Sequence, residues 1–199
     1  MQKLLPFDYN RRQLVLHHQN FKEYLIEVRP LCLTRDISFI HKWVNMPYTQ
    51  KFWQMPGSYE AVYFHYKNVL DNVLGYPVVF FFRSKLEPIA LMEVYAVKNE
   101  EVGKLYQLQD EDIGIHFLMS PFENKISGLS LNVMLTGLSF LFSRGAKRII
   151  GEPDKDNIKA NELVKRAGFK YQKEIQMSYK NANLYLYEQE DFKRAYPGF

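Results

Sequence analysis

Residues 110–130 contain the feature that most restricts the possible fold: an apolar strand, a polar turn and a helix in direct succession. The strand, residues 114–119, has one histidine, His116. From about Ser127 onward apolar residues recur every three or four positions, which predicts an amphipathic helix. The first N–H groups of such a helix lack intrahelical acceptors and form the positive end of its dipole. This stretch therefore predicts either an anion site or an ordinary strand–helix connection.

A second stretch, residues 146–169, repeats the pattern of strand, turn and helix. Residues 148–150 predict a short strand, and Gly151-Glu152-Pro153-Asp154 follows it as a turn. Asn157 is a suitable N-cap because its side chain can accept a hydrogen bond from a free N–H of the first helical turn. Gly168 is a suitable helix stop because it adopts the left-handed conformation without strain.

Both stretches resemble parts of the GNAT superfamily of N-acetyltransferases. The order Asn157-x-x-Ala160-x-x-Leu163 before Gly168-Phe169 is similar to the last helix of that fold. In the superfamily a Q/R-x-x-G-x-G/A loop binds the pyrophosphate of coenzyme A. Its counterpart here has Lys at the first position and Ser in place of the second small residue. The residues of this loop are Lys125, Ile126, Ser127, Gly128, Leu129 and Ser130.

Six short motifs resemble one branch of that superfamily, the siderophore-biosynthesis acyltransferases of the aerobactin and mycobactin type. These enzymes acylate N6-hydroxylysine or a related N-hydroxy diamine. The resemblance extends from about residue 29 to about residue 192. The motifs are Arg29-Pro30, Asp36…His41-x-Trp43-x-Asn45-x-Pro47…Phe52-Trp53, Glu93-x-Tyr95, Gly114-Ile115-His116, Glu152-Pro153-Asp154 and Lys180-x-Ala182-x-Leu184.

The resemblance implies an α/β (α+β) fold in one acyltransferase domain, residues 1–199, with a lead-in at 1–23 and a core at 24–190. The expected sheet is central, mixed and mostly antiparallel, with about six or seven strands and helices on both faces. It is expected to splay between its fourth and fifth strands, here residues 112–119 and 148–151. A tail, residues 191–199, follows the last strand.

The resemblance also implies roles for residues around that splay. His116 is expected to be the general base, since an imidazole changes protonation near neutral pH. Asp154 is expected either to orient His116 or to hold the acceptor, although an Asp before a helix can also serve only its N-terminus. The N–H groups of Phe117 and Leu118 are expected to meet the oxyanion. The co-substrate is acetyl-CoA or another acyl-CoA, bound by the loop of residues 125–130 with Asn157 and Ala160.

Four residues are candidates for acceptor binding: Trp53, Glu93, Tyr95 and Lys180. Trp53 lies in residues 48–57, predicted to be an aromatic loop, and is either a core residue or a pocket wall. Glu93 interrupts an apolar strand, so it must be solvated, paired or protonated. Tyr179 or Tyr185 is expected to protonate the leaving thiolate, and the sequence does not choose between them.

Composition excludes several classes of function. The net charge is +4, but no run of like charges appears, so nucleic-acid binding is not indicated. Cys32 is the only cysteine, which excludes an internal disulfide and a cysteine-based metal site; no metal is expected. The longest apolar run, about residues 76–82, is too short for a membrane span. No secretory signal is evident, so a cytoplasmic location is expected. The expected oligomeric state is a monomer or a homodimer.

Three functional hypotheses follow from these observations. The first is an acyl-CoA-dependent N-acyltransferase that acts on N-hydroxylysine or a related N-hydroxy diamine in hydroxamate siderophore biosynthesis. The second keeps the fold but changes the acceptor to an aminoglycoside, a polyamine or a protein amine. The third is a non-catalytic module that binds acyl-CoA or a partner, for which the single-glycine loop is the best support.

Overall fold

The structure is a computed structural model, and it describes residues 15–53, 55, 57–72, 74–85, 87–121 and 126–199. The eight strands are β1 His17–Phe21, β2 Tyr24–Pro30, β3 Gly75–Phe82, β4 Pro88–Ala96, β5 Ile113–Met119, β6 Arg148–Gly151, β7 Lys170–Gln176 and β8 Asn181–Glu188. The six α-helices are α1 Leu33–Val44, α2 Pro47–Trp53, α3 Tyr59–Asp71, α4 Leu129–Ser143, α5 Ile158–Ala167 and α6 Gln189–Ala195. Two short 3-10 turns, Val97–Asn99 and Glu101–Lys104, lie between β4 and β5.

The strands form a mixed sheet in the order β1-β2-β3-β4-β5-β6-β8-β7. β1 with β2, β2 with β3, β6 with β8 and β7 with β8 are antiparallel, whereas β5 with β6 is parallel. This confirms the mixed, mostly antiparallel sheet expected from the sequence. Within the described residues the sheet has eight strands rather than about six or seven, and one of them, β1, lies within the lead-in.

The parallel pairing of β5 with β6 is short. Within the described part of the chain, it joins Ile113 to Ile149 and Gly114 to Ile150 only. β5 nevertheless continues to Met119, five residues past the last pair. The expected splay between residues 112–119 and 148–151 is therefore present, and His116 lies just past the point where the strands part.

The chain divides into two compact units. Among the described residues, the N-terminal unit comprises 15–93 and 117–129, and the C-terminal unit comprises Val94–His116 and Ser130–Phe199. The core of the N-terminal unit lies between α1, α3 and the sheet and includes Ile37, Ile40, Val62, Tyr66 and Leu91. The core of the C-terminal unit includes Tyr95, Val97, Ile150, Ile175 and Leu184.

Both expected ends of α5 are confirmed. Asn157 is the N-cap, and its side-chain oxygen accepts a hydrogen bond from the N–H of Ala160 at 3.2 Å. Gly168 ends the helix with φ at 106°, in the left-handed region where other residues are strained. A Cβ at this glycine would also overlap the hydroxyl of Tyr187, so both backbone and packing require glycine.

Two segments differ from the expectation. Residues 47–53 form α2 rather than part of an aromatic loop, with Pro47 as the first helical residue. Proline is compatible with that position because the first N–H of a helix needs no intrahelical acceptor. The expected tail contains most of α6, whose Phe192 packs on Phe142 at 5.1 Å between ring centroids.

Candidate active site

His116 and Glu152 form a hydrogen-bonded pair in the C-terminal unit, where β5 and β6 part. Nε2 of His116 lies 3.1 Å from Oε1 of Glu152. The His116 side chain is 40% exposed, whereas that of Glu152 is 2% exposed, so solvent reaches only the imidazole. An ionised carboxylate can only accept, so Nε2 donates the hydrogen bond. In the neutral ring the basic lone pair is therefore on Nδ1, as a general base requires.

Glu152 is ionised by its surroundings although it is buried. The Nζ group of Lys180 donates to the Glu152 carbonyl oxygen at 2.7 Å and lies 3.7 Å from Oε1. Burial on its own raises the pKa of the Glu152 carboxyl, but the hydrogen bond from His116 and the charges of His116 and Lys180 lower it to about 2. Glu152 therefore supplies a permanent negative charge beside the imidazole at neutral pH.

Tyr95 covers one side of this pair. Its ring centroid lies 4.8 Å from that of His116. The ring occupies the space over Gly114, where a Cβ would overlap it. Burial and the nearby Glu152 charge raise the pKa of Tyr95 well above its usual value, so it remains a neutral donor. The Tyr95 hydroxyl interacts with the Glu152 carboxylate and helps to lower its pKa, although neither this hydroxyl nor Oε2 of Glu152 forms a hydrogen bond of normal geometry among the described residues.

A clamp between two sequence-distant segments holds the turn that contains Tyr179 and Lys180. The Glu101 carboxylate accepts hydrogen bonds from the N–H and the hydroxyl of Ser178 at 2.8 and 2.7 Å. Tyr179 follows and is half exposed. Burial and then the carboxylates of Glu152 and Glu100 raise its pKa to about 12. A phenol that keeps its proton at neutral pH is suited to protonating a leaving thiolate.

A separate chain of hydrogen bonds lies in the N-terminal unit. The hydroxyl of Tyr66 donates to Oε1 of Glu93 at 2.6 Å, and the Trp53 side chain hydrogen-bonds to Tyr66. The indole N–H is a donor only, so the chain runs from Trp53 through Tyr66 to Glu93. Trp53 and Glu93 were expected to act on the same acceptor, and buried Tyr66, which sequence reasoning missed, connects them.

The comparisons with known proteins agree on one family. Residues 32–177, more than half of the chain, match the family described as "Acetyltransferase (GNAT) domain". This chain is a GNAT acyltransferase. The N-hydroxyputrescine acetyltransferase of Acinetobacter baumannii is 27% identical to it over 182 residues, which are 87% of this chain and 85% of that protein.

Two further proteins show how far the similarity extends. The N(6)-hydroxylysine O-acetyltransferase of Escherichia coli is 24% identical over 161 residues, or 79% of this GNAT chain. That alignment spans only half the length of the E. coli protein. The solved structure of the aminoglycoside acetyltransferase AAC(6')-Ib with coenzyme A has a TM-score of 0.74 and 18% identity, and the match covers 85% of this chain and 98% of that one. This likeness shows the GNAT fold.

Asp154 does not occupy the place expected for it beside His116, because Glu152 does. Oδ1 of Asp154 instead accepts a hydrogen bond from the N–H of Asp156 at 2.8 Å, within the turn before α5. Glu152, rather than Asp154, is therefore the carboxylate placed to orient His116. The second role, a contact with the acceptor, remains a prediction.

Asn161 is a residue of this GNAT chain that sequence reasoning missed. Its amide nitrogen donates to the carbonyl oxygens of Asp154 and Asn157 at 2.8 and 2.9 Å. Its side-chain oxygen accepts from Asn183 at 2.8 Å and from the Tyr185 hydroxyl at 3.0 Å. Tyr185 is fully buried, so this phenol serves the fold, and Tyr179 is the better candidate for the general acid.

The residues expected to bind coenzyme A remain predictions. Lys125 lies outside the described residues. Residues 126–128 form a turn into α4, in which the Leu129 N–H donates to the Ile126 carbonyl at 3.1 Å and Gly128 has a φ of 82°. A left-handed glycine before a helix is compatible with a close approach by a phosphate. Leu118 is buried in the core of the N-terminal unit, and Phe117 is half-buried.

Two kinds of feature are absent from the described part of the chain. Within that part of the chain, no group of three or more His, Cys, Asp or Glu side chains is placed to hold a metal ion. None of the helices described there is both long and apolar enough to cross a membrane.

Proposed function

We propose that this GNAT acyltransferase transfers an acetyl or succinyl group from acyl-CoA to the hydroxylated nitrogen of an N-hydroxy amine, such as N-hydroxylysine or an N-hydroxy diamine. The observation that carries this proposal is the His116–Glu152 pair at the splay of β5 and β6. The names of the two relatives support the class of acceptor, since both act on hydroxylated amines. The coenzyme A in the AAC(6')-Ib structure supports the co-substrate.

The chemistry of the acceptor suits a single imidazole base. An N-hydroxylated amine is far less basic than an alkylamine, so it is largely neutral at physiological pH and its lone pair is free to attack. The nitrogen forms a bond to the thioester carbonyl carbon, and His116 takes the proton that leaves the nitrogen. Glu152 stabilises the resulting imidazolium because its carboxylate remains ionised beside it.

The remaining steps use groups that are still candidates. In this proposal the N–H groups of Phe117 and Leu118 donate hydrogen bonds to the oxyanion that forms at the thioester carbonyl. When the tetrahedral intermediate collapses, the carbon–sulfur bond breaks and Tyr179 protonates the thiolate. The loop of residues 125–130, with Asn157 and Ala160 at α5, remains the candidate for coenzyme A. The products are the hydroxamate and free coenzyme A.

The test is a free-thiol release assay with acetyl-CoA and succinyl-CoA. The acceptors are N6-hydroxylysine, N-hydroxycadaverine, lysine and kanamycin, and the variants are His116→Ala and His18→Ala. His18 is an exposed histidine on β1, which makes it a matched control. We expect turnover with the two hydroxylated amines, lowered about 10²- to 10⁴-fold in His116→Ala and unchanged in His18→Ala.

Other outcomes would redirect the proposal. Turnover with kanamycin and none with the hydroxylated amines would establish the second hypothesis, an acetyltransferase for another amine. Binding of acetyl-CoA without thiol release for any acceptor would establish a non-catalytic module.

A further inference from the structure

Lys180 and His116 share one oxygen atom of the Glu152 carboxylate. Oε1 of Glu152 lies 3.1 Å from Nε2 of His116 and 3.7 Å from Nζ of Lys180. The two nitrogen atoms therefore lie within about 7 Å of each other, less than the distance over which physiological salt screens a charge. The charges of the ammonium group and of an imidazolium thus act on each other as well as on the same carboxylate oxygen.

Contacts that do not involve the imidazole hold the ammonium group of Lys180 in this place. Nζ donates to the Glu152 carbonyl oxygen at 2.7 Å and lies 5.5 Å from the ring centroid of Tyr179. The turn that carries the lysine is closed by the Met177 N–H, which donates to the Lys180 carbonyl at 2.9 Å. The side chain is only 13% exposed, so solvent screens its charge weakly. The ammonium group therefore stays beside Glu152 whether or not His116 is protonated.

Other titratable groups that interact within this cluster are neutral or negative. They are two tyrosines and three glutamates: Tyr95, Tyr179, Glu100, Glu101 and Glu152. Burial, and then the charge of Glu152, raises the pKa of both tyrosines, so they remain uncharged near neutral pH. None of these five groups can supply positive charge, whereas Lys180 does.

Two opposite charges therefore act on the protonation of His116. The Glu152 carboxylate stabilises the imidazolium because opposite charges attract. The ammonium group of Lys180 destabilises the imidazolium by direct repulsion and by neutralising part of the carboxylate charge. A general base has to be unprotonated before it can accept a proton, so an imidazolium that is too stable would leave little base at neutral pH.

We propose that Lys180 is a positioning residue that acts through the Glu152 carboxylate to keep His116 unprotonated near neutral pH. The catalytic part of this inference rests on the proposed function, because it takes His116 as the base. The effect of Lys180 on the protonation of His116 does not depend on any reaction. The sequence predicted a contact between Lys180 and the acceptor, and the test separates the two roles.

The test removes the charge of Lys180 in two ways and keeps it in a third. Lys180→Met and Lys180→Gln are neutral, and the glutamine can still donate to the Glu152 carbonyl, whereas Lys180→Arg remains a cation. Lys173→Met, at an exposed position on β7, is the matched control. The first readout is the NMR titration of the His116 ring proton, assigned with His116→Ala. The second is the pH profile of kcat/KM, with KM for N6-hydroxylysine, from thiol release.

We expect the titration of His116 to move to higher pH by about one unit in both neutral variants, the effect that one nearby charge has on a titrating group. The acid limb of kcat/KM should move in the same direction. At a pH below the limb kcat/KM should therefore fall about tenfold, while its plateau at higher pH and the KM measured there are retained. Lys180→Arg and Lys173→Met should titrate like the wild type.

An unmoved or lowered titration of His116 in the neutral variants would overturn the proposal, as would an equal rise in Lys180→Arg. A raised KM with an unmoved titration would instead assign Lys180 to the acceptor. Absence of thiol release with every acceptor would refute the proposed function and leave this inference to the NMR titration alone. In that case a rise confined to the neutral variants supports the inference, and an unmoved titration overturns it.

Discussion

Two buried carboxylates of the C-terminal unit, Asp112 and Glu152, have opposite hydrogen-bonding situations. Asp112 accepts from Nε and Nη2 of Arg148 at 2.7 Å each, from the Tyr106 hydroxyl at 2.6 Å and from the Gln109 N–H at 2.9 Å. Glu152 has one oxygen against His116 and Lys180, and its other oxygen forms no hydrogen bond of normal geometry among the described residues, although the Tyr95 hydroxyl interacts with the carboxylate.

The difference separates a carboxylate that stabilises the fold from the one for which we propose a role in the reaction. Asp112 has donors on both oxygens, so neither oxygen of this carboxylate is left without a partner. Glu152 contacts a solvent-exposed imidazole, and its carboxylate can still accept a further hydrogen bond of normal geometry. Both carboxyl groups have lowered pKa values against the opposing effect of burial, so a lowered pKa alone would not distinguish them. The contact of Glu152 with a solvent-exposed imidazole does distinguish the two carboxylates.

The largest effect is expected for Asp112→Asn. The amide removes the charge opposite the buried Arg148 guanidinium, and breaking a buried ion pair from one side costs about 3–5 kcal/mol. Urea denaturation should show this loss in the free energy of unfolding, with Asp110→Asn, an exposed neighbour, as the control. The folded variant should keep its kcat/KM. A loss of activity without a loss of stability would reverse the roles that we assign to the two carboxylates.

Acid denaturation tests the ionisation of Glu152. Its pKa is about 2 in the folded protein against an ordinary value of 4.5. The folded pKa is lowered, so the stabilisation is complete above pH 4.5 and is lost as the pH falls from 4.5 towards 2. About 3 kcal/mol is the upper limit of this effect. Glu152→Gln should lack this part of the pH dependence in urea titrations at several pH values; an identical dependence in both proteins would show that the carboxyl is not preferentially ionised.

A smaller effect is expected for Glu152→Gln on activity. We expect kcat/KM to fall about 10²-fold, because the imidazolium loses its anionic partner. A residue that only supported the fold would leave the pH profile in place, whereas here the acid limb of kcat/KM should move to lower pH. Glu152→Asp should restore part of the activity, and Glu162→Gln, an exposed glutamate on α5, is the control. An unmoved acid limb would remove Glu152 from the mechanism.

The smallest effect is expected for Gly114→Ala, which tests how closely the pair depends on Tyr95. The new Cβ would overlap the Tyr95 ring, and overpacking of this kind costs about 1–3 kcal/mol. The displaced ring would shift His116, so kcat should fall as well. Gly151→Ala on β6 is the matched control, because its Cβ would lie 3.7 Å from Phe169, an ordinary contact distance. Equal stability and activity in the two variants would mean that Tyr95 has room to move.

Much of the fold followed from local patterns in the sequence. Apolar periodicity predicted α4, and the N-cap Asn157 and the stop Gly168 marked the ends of α5. Local patterns gave the wrong structure where one residue type is compatible with two positions in a helix. Pro47 indicates the end of α1, yet it is equally suited to the first position of α2. α6 depends on a tertiary contact, Phe192 with Phe142, which no local signal reveals.

The site was predictable only in part, because local patterns give positions along a strand but not contacts between distant residues. The strand and the family resemblance pointed to His116, but not to which acid reaches it. Glu152 and Asp154 are two residues apart, so in an extended segment their side chains point to the same side. The choice depends on where the segment turns, and Asp154 is already bridged to Ala182 of β8. Tyr66 and Asn161 were missed because their partners are distant in sequence.

The Glu101–Ser178 clamp has a consequence for how the protein is made. It joins residues 77 positions apart, and the turn that it holds carries Lys180 to Glu152. A nascent chain that has emerged only as far as α5 already contains His116 and Glu152 but lacks both the clamp and Lys180. Closing so long a loop costs chain entropy that only the finished contacts repay. Synthesis must therefore pass Lys180 before the charge balance around the imidazole exists, so a shorter nascent chain lacks part of the environment of the proposed base.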